Sequence, residues 1–177
     1  MLKTLVINDE NMQQEPAKRK MKSRAILTNS ENEVLIANYG GVFLLPGGSI
    51  EEGENPYSAI IRELKEEIGV EFEIGQLKPF AKIKYFQPAY PQRNGKTEDI
   101  MAVTYYYLGK LESISENRSL TENERKDEFD VRFYNLRQIE DLLKNNNVGN
   151  PRRKYFDREL HEIIKEYKKE KIEEIEK

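Results

Sequence analysis

One segment constrains the fold of this chain more than any other: residues 47–70, which read GGSIEEGENPYSAIIRELKEEIGV. Its fixed positions follow the pattern Gly-x5-Glu-x7-Arg-Glu-U-x-Glu-Glu-x-Gly-U, where U is aliphatic and x is any residue. Asn55 and Pro56 predict a helix start. The Asn side chain can accept a hydrogen bond from a backbone amide that the first helical turn leaves unpaired, and proline has no amide hydrogen that would need a partner there. Gly69 predicts the helix end, because glycine adopts the left-handed conformation readily. We therefore expect a glycine-rich loop followed by a helix of about fourteen residues.

Apolar and acidic side chains occupy different sides of this predicted helix. Ile60, Leu64 and Ile68 recur at four-residue intervals and predict a buried stripe. Three carboxylates at i, i+3 and i+4 project from one side; this acidic triplet is Glu63, Glu66 and Glu67. Like charges this close repel one another, and a divalent cation bound by the carboxylate oxygens would reverse the sign of that energy.

A charged run such as RELKEE is also common on ordinary solvated helix faces. The residues that precede it favour a functional site instead. Residues 43–50, FLLPGGSI, combine an apolar strand with paired glycines, which let the backbone bend closely around a ligand or ion. A strand, a glycine-rich loop and a helix with clustered carboxylates together indicate a metal and diphosphate site.

The segment matches the Nudix box at every fixed position, so the chain resembles the Nudix hydrolases, which cleave pyrophosphate bonds in nucleoside diphosphates linked to a further group. The matching residues are Gly48, Glu54, Arg62, Glu63, Leu64, Glu66, Glu67, Gly69 and Val70. The resemblance implies that the acidic triplet holds Mg²⁺ or Mn²⁺, with the backbone carbonyl of Gly47 or Gly48 completing the coordination. It also implies that Arg62 orients the glutamates, often through a salt bridge to Glu54. Which glutamate acts as the general base varies across the family.

The remaining sequence predicts a mixed set of strands and helices around this motif. Runs rich in β-branched and aromatic residues predict strands at 1–8, 23–29, 33–38, 77–87, 100–111 and 129–134. Apolar residues at helical spacing predict helices at 136–144 and after 151. With the resemblance, this layout implies an α/β fold, a Nudix-type α/β/α sandwich with a mixed sheet. We expect an N-terminal strand and polar connector at 1–22, the hydrolase domain at 23–150 and a C-terminal helix at 151–177.

Composition limits the chemistry and the partners. The absence of cysteine excludes disulfides and thiolate metal sites. No apolar stretch is present near residue 1, so we expect a cytoplasmic protein without membrane contact. A formal charge of -3 gives no general attraction to nucleic acid. A homodimer is left open.

An acid outside the box often supplies a further ligand or the general base in this family, from a loop before the last strand. Asp127, Glu128 and Asp130 stand in that position, although the run ERKDEFD is equally typical of an ordinary charged loop. Glu98 and Asp99 are weaker candidates for the same role.

Substrate contacts are less legible in the sequence. Tyr85 could stack on a base, and Arg93 could contact a terminal phosphate, with Glu128 as a third candidate. Aromatic residues in strands are equally typical of a sheet core, and charged loop residues are often solvated. Tyr90, Pro88, Lys96, Arg152 and Arg153 are ambiguous in the same way.

Three functions follow from the resemblance. The first is metal-dependent hydrolysis of a small nucleotide: a nucleoside triphosphate, ADP-ribose or nucleotide sugar, or a dinucleoside polyphosphate. The second is removal of pyrophosphate from an RNA 5′ end, which requires a basic groove beside the site. The third is a non-catalytic nucleotide sensor, in which the box carboxylates are usually lost, whereas all are present here.

Overall fold

The computed structural model describes residues 2–126, 128–145 and 149–175. These residues form eight strands and four helices. The strands are β1 (Lys3–Ile7), β2 (Lys18–Thr28), β3 (Val34–Tyr39), β4 (Val42–Leu44), β5 (Gly47–Ser49), β6 (Lys78–Pro91), β7 (Thr97–Lys110) and β8 (Asp130–Tyr134). The helices are α1 (Pro56–Ile68), α2 (Glu122–Lys126), α3 (Leu136–Asn145) and α4 (Arg153–Ile175). None of these helices is both long enough and apolar enough to span a membrane.

The strands make one mixed sheet in the order β1-β6-β7-β2-β3-β4, with β5 paired to β2 and β8 paired to β3. β6 and β7 form a long antiparallel hairpin, and β7 pairs in parallel with the whole length of β2. β2 is therefore central, and its middle residues, 22–24, pair with β5 on the other side. This arrangement places the glycines of β5 beside the middle of the sheet.

Helix α1 has the ends that the sequence predicts. The Asn55 side chain accepts hydrogen bonds from the amides of Tyr57 and Ser58, at 3.0 and 2.9 Å. Gly69 closes the helix with φ 68°. The predicted apolar stripe is fully buried and packs on Ala25, Leu27, Leu35 and Ala37, on one face of the sheet.

Helix α4 covers the opposite face. Its first turns bury Tyr155, Leu160 and Ile163 against side chains from β2, β6 and β7, and its last turns are exposed, as the pattern predicts. The sheet therefore lies between α1 and α4 with one apolar core on each side. The predicted α/β sandwich with a mixed sheet is confirmed.

Two polar segments that resemble loops in the sequence are largely strand. β2 begins at Lys18, inside the run at 9–22 that the sequence indicates as a connector or an exposed strand edge, because its basic side chains alternate and hide the usual strand pattern. The segment at 88–99, for which the sequence allows a hairpin or a long substrate loop, is a tight hairpin, because β6 continues to Pro91 and β7 begins at Thr97. An irregularity in pairing between Gln87 and Tyr90 accommodates Pro88 within β6. Helix α2 has no counterpart in the prediction.

Candidate functional site

The acidic side of α1 faces the backbone of β5 at close range. A Cβ atom at Gly48 would stand 2.4 Å from the carboxyl carbon of Glu63, so only glycine lets the strand approach that carboxylate. Gly47 has φ +128°, and a Cβ there would stand 2.2 Å from the Ser23 carbonyl oxygen. The paired glycines thus bring backbone polar groups against the carboxylates of α1.

Glu67 is held rigidly within this contact. Its side chain is 1% exposed; Oε2 accepts a hydrogen bond from the Gly47 amide at 2.7 Å, and Oε1 accepts one from the Tyr39 hydroxyl. Burial raises the pKa of Glu67 to about 8, and the two hydrogen bonds partly oppose that shift. Tyr39 lies 28 positions away in the sequence, and no local pattern singles it out.

Arg62 organises the other carboxylates. Its Nε and Nη2 atoms donate to the two oxygens of Glu54, both at 3.0 Å, and Nη2 also donates to the Ser49 carbonyl at 3.0 Å. Its Nη1 donates to Glu63 at 2.9 Å and to Glu66 at 3.4 Å. Burial raises the pKa of Glu63 although Arg62 lowers it, so this carboxylate is partly desolvated as well. Arg62 therefore neutralises carboxylates that would otherwise repel one another.

The donor atoms of the acidic triplet suit a hard divalent cation. Every candidate ligand is an oxygen, as Mg²⁺ and Mn²⁺ prefer, and the three carboxylates lie on adjacent turns of one helix. Within the described ranges, no three acidic or histidine side chains already converge on a single cation position. Arg62 and Tyr39 hold them instead, so cation binding would replace Arg62 contacts of Glu63 and Glu66 with metal–oxygen contacts.

Arg24 is a second residue that sequence reasoning missed. It is buried, and its Nη1 donates to the carbonyls of Leu45 at 2.6 Å and Gly47 at 3.2 Å. The Gly47 carbonyl, one of two predicted backbone ligands, thus already has a cationic partner. A basic residue that alternates with apolar ones in a central strand is the only sequence signal for Arg24.

The segment after β7 closes the C-terminal end of α1. The amides of Ser115 and Ser119 donate to the carbonyls of Ile68 and Glu66, at 2.9 and 2.8 Å. These bonds pair carbonyls that a helix end otherwise leaves free, and they fix the last turn, which carries Glu66 and Glu67.

The predicted substrate residues differ in how much of them is open to a ligand. Tyr85 is 5% exposed and packs 6.1 Å from the Tyr155 ring, which leaves little of its own ring open to a ligand. Arg93 is exposed in the β6–β7 turn, and Glu128 is exposed with φ 50°. No hydrogen bond or ion pair in the described part of the chain joins these three to the triplet. Their substrate roles stay predictions, and Asp127 lies outside the described residues.

Comparison with known proteins supplies a family match. A NUDIX domain model matches residues 18–158 of this chain. The 8-oxo-dGTP diphosphatase of Escherichia coli (strain K12) is 38% identical over 69 residues, which cover 36% of this chain and 52% of that protein. Across the curated relatives that match, the chain spans between 27% and 57% of their length.

Solved structures agree with the fold. A NUDIX hydrolase from Nitrosomonas europaea has a TM-score of 0.58 at 15% identity, covering 85% of this chain and 88% of that one. The NUDIX domain of Shewanella oneidensis NrtR, solved in complex with ADP ribose, has a TM-score of 0.56 at 15% identity and covers 92% of each chain. At such low identity the likeness concerns the fold alone.

Proposed function

The chain belongs to the NUDIX domain family, and on that premise we propose that it hydrolyses a pyrophosphate bond in a nucleoside diphosphate derivative with the help of a divalent cation. One observation carries the proposal. The three carboxylates of the acidic triplet are all present, and two of them meet the glycine backbone of β5, Glu63 through Gly48 and Glu67 through Gly47. A protein that only sensed nucleotides would not need this arrangement of desolvated carboxylates.

Each residue of the site has a defined task in this proposal. When bound, Mg²⁺ or Mn²⁺ supplies neutralisation of the diphosphate oxygens and lowers the pKa of an attacking water. Glu67 is fixed in orientation by Tyr39 and the Gly47 amide before any substrate arrives. Arg62, anchored by both oxygens of Glu54, keeps Glu63 in place. Glu67 is therefore preorganised, which reduces its reorganisation during reaction, whereas Glu63 and Glu66 would exchange Arg62 contacts for the cation.

The substrate class is proposed as a small nucleotide. The relative in Escherichia coli named 8-oxo-dGTP diphosphatase supports this class, although it aligns with only 36% of the chain. The net charge of -3 gives no support to a long nucleic acid as substrate.

The test is a substrate screen with a matched pair of variants. Nucleoside triphosphates, ADP-ribose, nucleotide sugars, dinucleoside polyphosphates and 5′-triphosphorylated RNA are incubated with Mg²⁺ or Mn²⁺, and released phosphate and pyrophosphate are measured. On the best substrate, Glu67→Gln should lower kcat by about 10²-fold to 10⁴-fold. Glu71→Gln is the control, because Glu71 is exposed and its one ion pair among the described residues is with Lys65 at 3.3 Å.

Two outcomes would contradict the proposal. Full turnover in the folded Glu67→Gln and Glu66→Gln variants would remove the triplet from the chemistry. Absence of hydrolysis across the whole screen, with nucleotide binding retained, would favour the sensor.

A further inference from the structure

Basic side chains line one face of the central strand. Lys20, Lys22 and Arg24 alternate along β2, so all three project to the same side of the sheet. That side is the α4 side, because the Lys22 ammonium lies 5.0 Å from the ring of Phe156 in α4. Arg152 lies just before α4 on the same side of the sheet, where its Nε donates a hydrogen bond to the Pro91 carbonyl at 2.9 Å. We name Lys20, Lys22 and Arg152 the basic strip.

The basic strip forms no direct ion pair. Among the described residues, no carboxylate lies within ion-pair distance of any of its three members. Two acids act on it only at longer range, Glu159 on Lys22 and Glu98 on Lys20, and Glu159 accepts a hydrogen bond from the Tyr106 hydroxyl at 2.5 Å.

Burial first, and then Arg24, lower the pKa of Lys22 to about 8. Holding partly desolvated cations together without a direct counter-charge is unfavourable, and a bound anion would relieve it.

Aromatic rings flank the strip and fix its cations. The Lys20 ammonium lies 4.3 Å from the centre of the Tyr90 ring, and the Arg152 guanidinium carbon lies 5.6 Å from the same ring. Such contacts hold cations without consuming their charge, so they leave the hydrogen-bond donors available.

The strip also connects to the proposed active site. In the pairing of β2 with β5, Lys22 stands opposite Ser49 and Arg24 opposite Gly47. Arg24 binds the Gly47 carbonyl, and the amide of that same residue binds Glu67. At about 3.3 Å per residue, Lys22 and Lys20 lie roughly 7 and 13 Å along the strand from Arg24. The strip and the acidic triplet are thus linked through Gly47, which contacts Arg24 from the α4 face and Glu67 from the α1 face.

We propose that the basic strip is a second anion-binding subsite, which selects substrates that carry a further phosphate group apart from the hydrolysed diphosphate. The specificity part of this inference rests on the proposed function. The anion-binding part stands on the geometry of Lys20, Lys22 and Arg152 alone.

The binding test uses inorganic tripolyphosphate in the presence of EDTA, so that no cation bridges the ligand to the acidic triplet. Calorimetry should show binding to the intact chain. Lys22→Met and the double variant Lys20→Met with Arg152→Met should each raise Kd by about tenfold or more, because charge-assisted hydrogen bonds are lost. Lys82→Met is the matched control: Lys82 lies over the Tyr105 ring at 5.8 Å but on the opposite face of the sheet. Its Kd should equal that of the unmodified chain.

Three results would overturn the inference: no tripolyphosphate binding, unchanged affinity in the strip variants, or equal loss in Lys82→Met. Circular dichroism confirms that each variant is folded, and the double variant carries the test if Lys22→Met does not fold.

The specificity test compares pairs of molecules that differ by one phosphate: ADP-ribose with its 2′-phosphate, and dephospho-coenzyme A with coenzyme A. The kcat/KM ratio should favour the phosphorylated member by about tenfold and fall toward one in Lys22→Met. The ratio cancels any loss of folded protein, since both substrates meet the same preparation. A ratio of one in the unmodified chain overturns the selectivity.

Failure of the proposed function gives a different result. If Glu67→Gln keeps full turnover while tripolyphosphate affinity still depends on Lys22, the catalytic role of the acidic triplet is refuted and the anion subsite is supported. If Glu67→Gln loses turnover and tripolyphosphate affinity does not depend on Lys22, the catalytic role is supported and the anion subsite is refuted.

Discussion

The two faces of the sheet handle buried charge in opposite ways. On the α1 face, carboxylates lie close together, and internal donors compensate them: Arg62 for Glu63 and Glu66, Tyr39 and the Gly47 amide for Glu67. On the α4 face, the cations of the basic strip lie against aromatic rings and form no ion pair among the described residues. The comparison indicates that internal donors already compensate the acidic face, whereas the proposed anionic ligand would give the basic face its direct partner.

Removal of divalent cations should give the largest change in activity and should separate the two faces most clearly. EDTA should abolish hydrolysis, because the acidic triplet has no other means of holding the diphosphate, while tripolyphosphate binding at the strip should persist. Activity with added Mg²⁺ or Mn²⁺ is the measurement, and recovery must follow metal addition. Undiminished hydrolysis in EDTA would show that the acidic face works without a cation.

Gly48→Ala should act on the acidic face alone. The new methyl group would stand 2.4 Å from the Glu63 carboxyl carbon, so that side chain must move away from its Arg62 contact. We expect kcat to fall by about 10²-fold, since small displacements of catalytic groups are costly, and tripolyphosphate affinity to stay constant. Gly149→Ala is the control, because no described residue outside its chain neighbours lies within 4 Å of a Cβ there. Equal activity in both variants would mean that the close approach of β5 is unimportant.

Acidity should affect the stability of the metal-free protein through Glu67. Burial raises its pKa to about 8, so the folded state holds a proton that the unfolded chain releases near its ordinary pKa. The contribution of Glu67 to the free energy of unfolding should therefore be greatest below the ordinary glutamate pKa. It should decline as the pH rises from that value toward 8. Chemical denaturation in EDTA across this range measures it. Glu67→Gln should reduce the decline, and identical pH profiles for the two proteins would contradict the assignment.

Tyr39→Phe should give a moderate loss. It removes the hydroxyl that donates to Glu67 and leaves the ring packed 4.7 Å from Phe129. We expect kcat to fall by about tenfold with little change in KM, as for a positioning residue. Tyr105→Phe likewise removes a hydroxyl, but one that does not contact the acidic triplet, so kcat should stay unchanged. Losses of the same size in both would indicate a general packing effect.

Lys22→Met should have the smallest effect, and it should stabilise the protein rather than impair it. Below pH 8 the unpaired ammonium destabilises the fold, because burial lowers its pKa to about 8. Replacement by methionine should stabilise the protein by about 1 kcal/mol at pH 7, with a smaller change for Lys82→Met. Urea unfolding of both variants measures the difference. A destabilised Lys22→Met would mean that the lysine serves the fold rather than a ligand.

Much of α1 and its setting could be predicted from neighbouring residues. The cap at Asn55, the end at Gly69, the buried stripe and the grouping of the acidic triplet all depend on spacing along one helix, which the sequence states directly. The sequence left strand and loop open at the start of β2 and in the β6–β7 hairpin, because alternating lysines and two prolines are also typical of loops. Strand pairing with β7 and β6 overrides those local preferences, and the partners lie far away in the chain.

The sequence by itself determined the family, the sandwich architecture and the carboxylates available for a cation, because each depends on residue types at fixed local spacing. Only the tertiary structure decided which groups hold those carboxylates and which cations lack partners. Tyr39 reaches Glu67, Arg24 reaches Gly47, and Lys22 meets Phe156 through contacts between distant segments. Burial and pairing of charge depend on the packing of α1 and α4 against opposite faces of one sheet, and no local pattern encodes it.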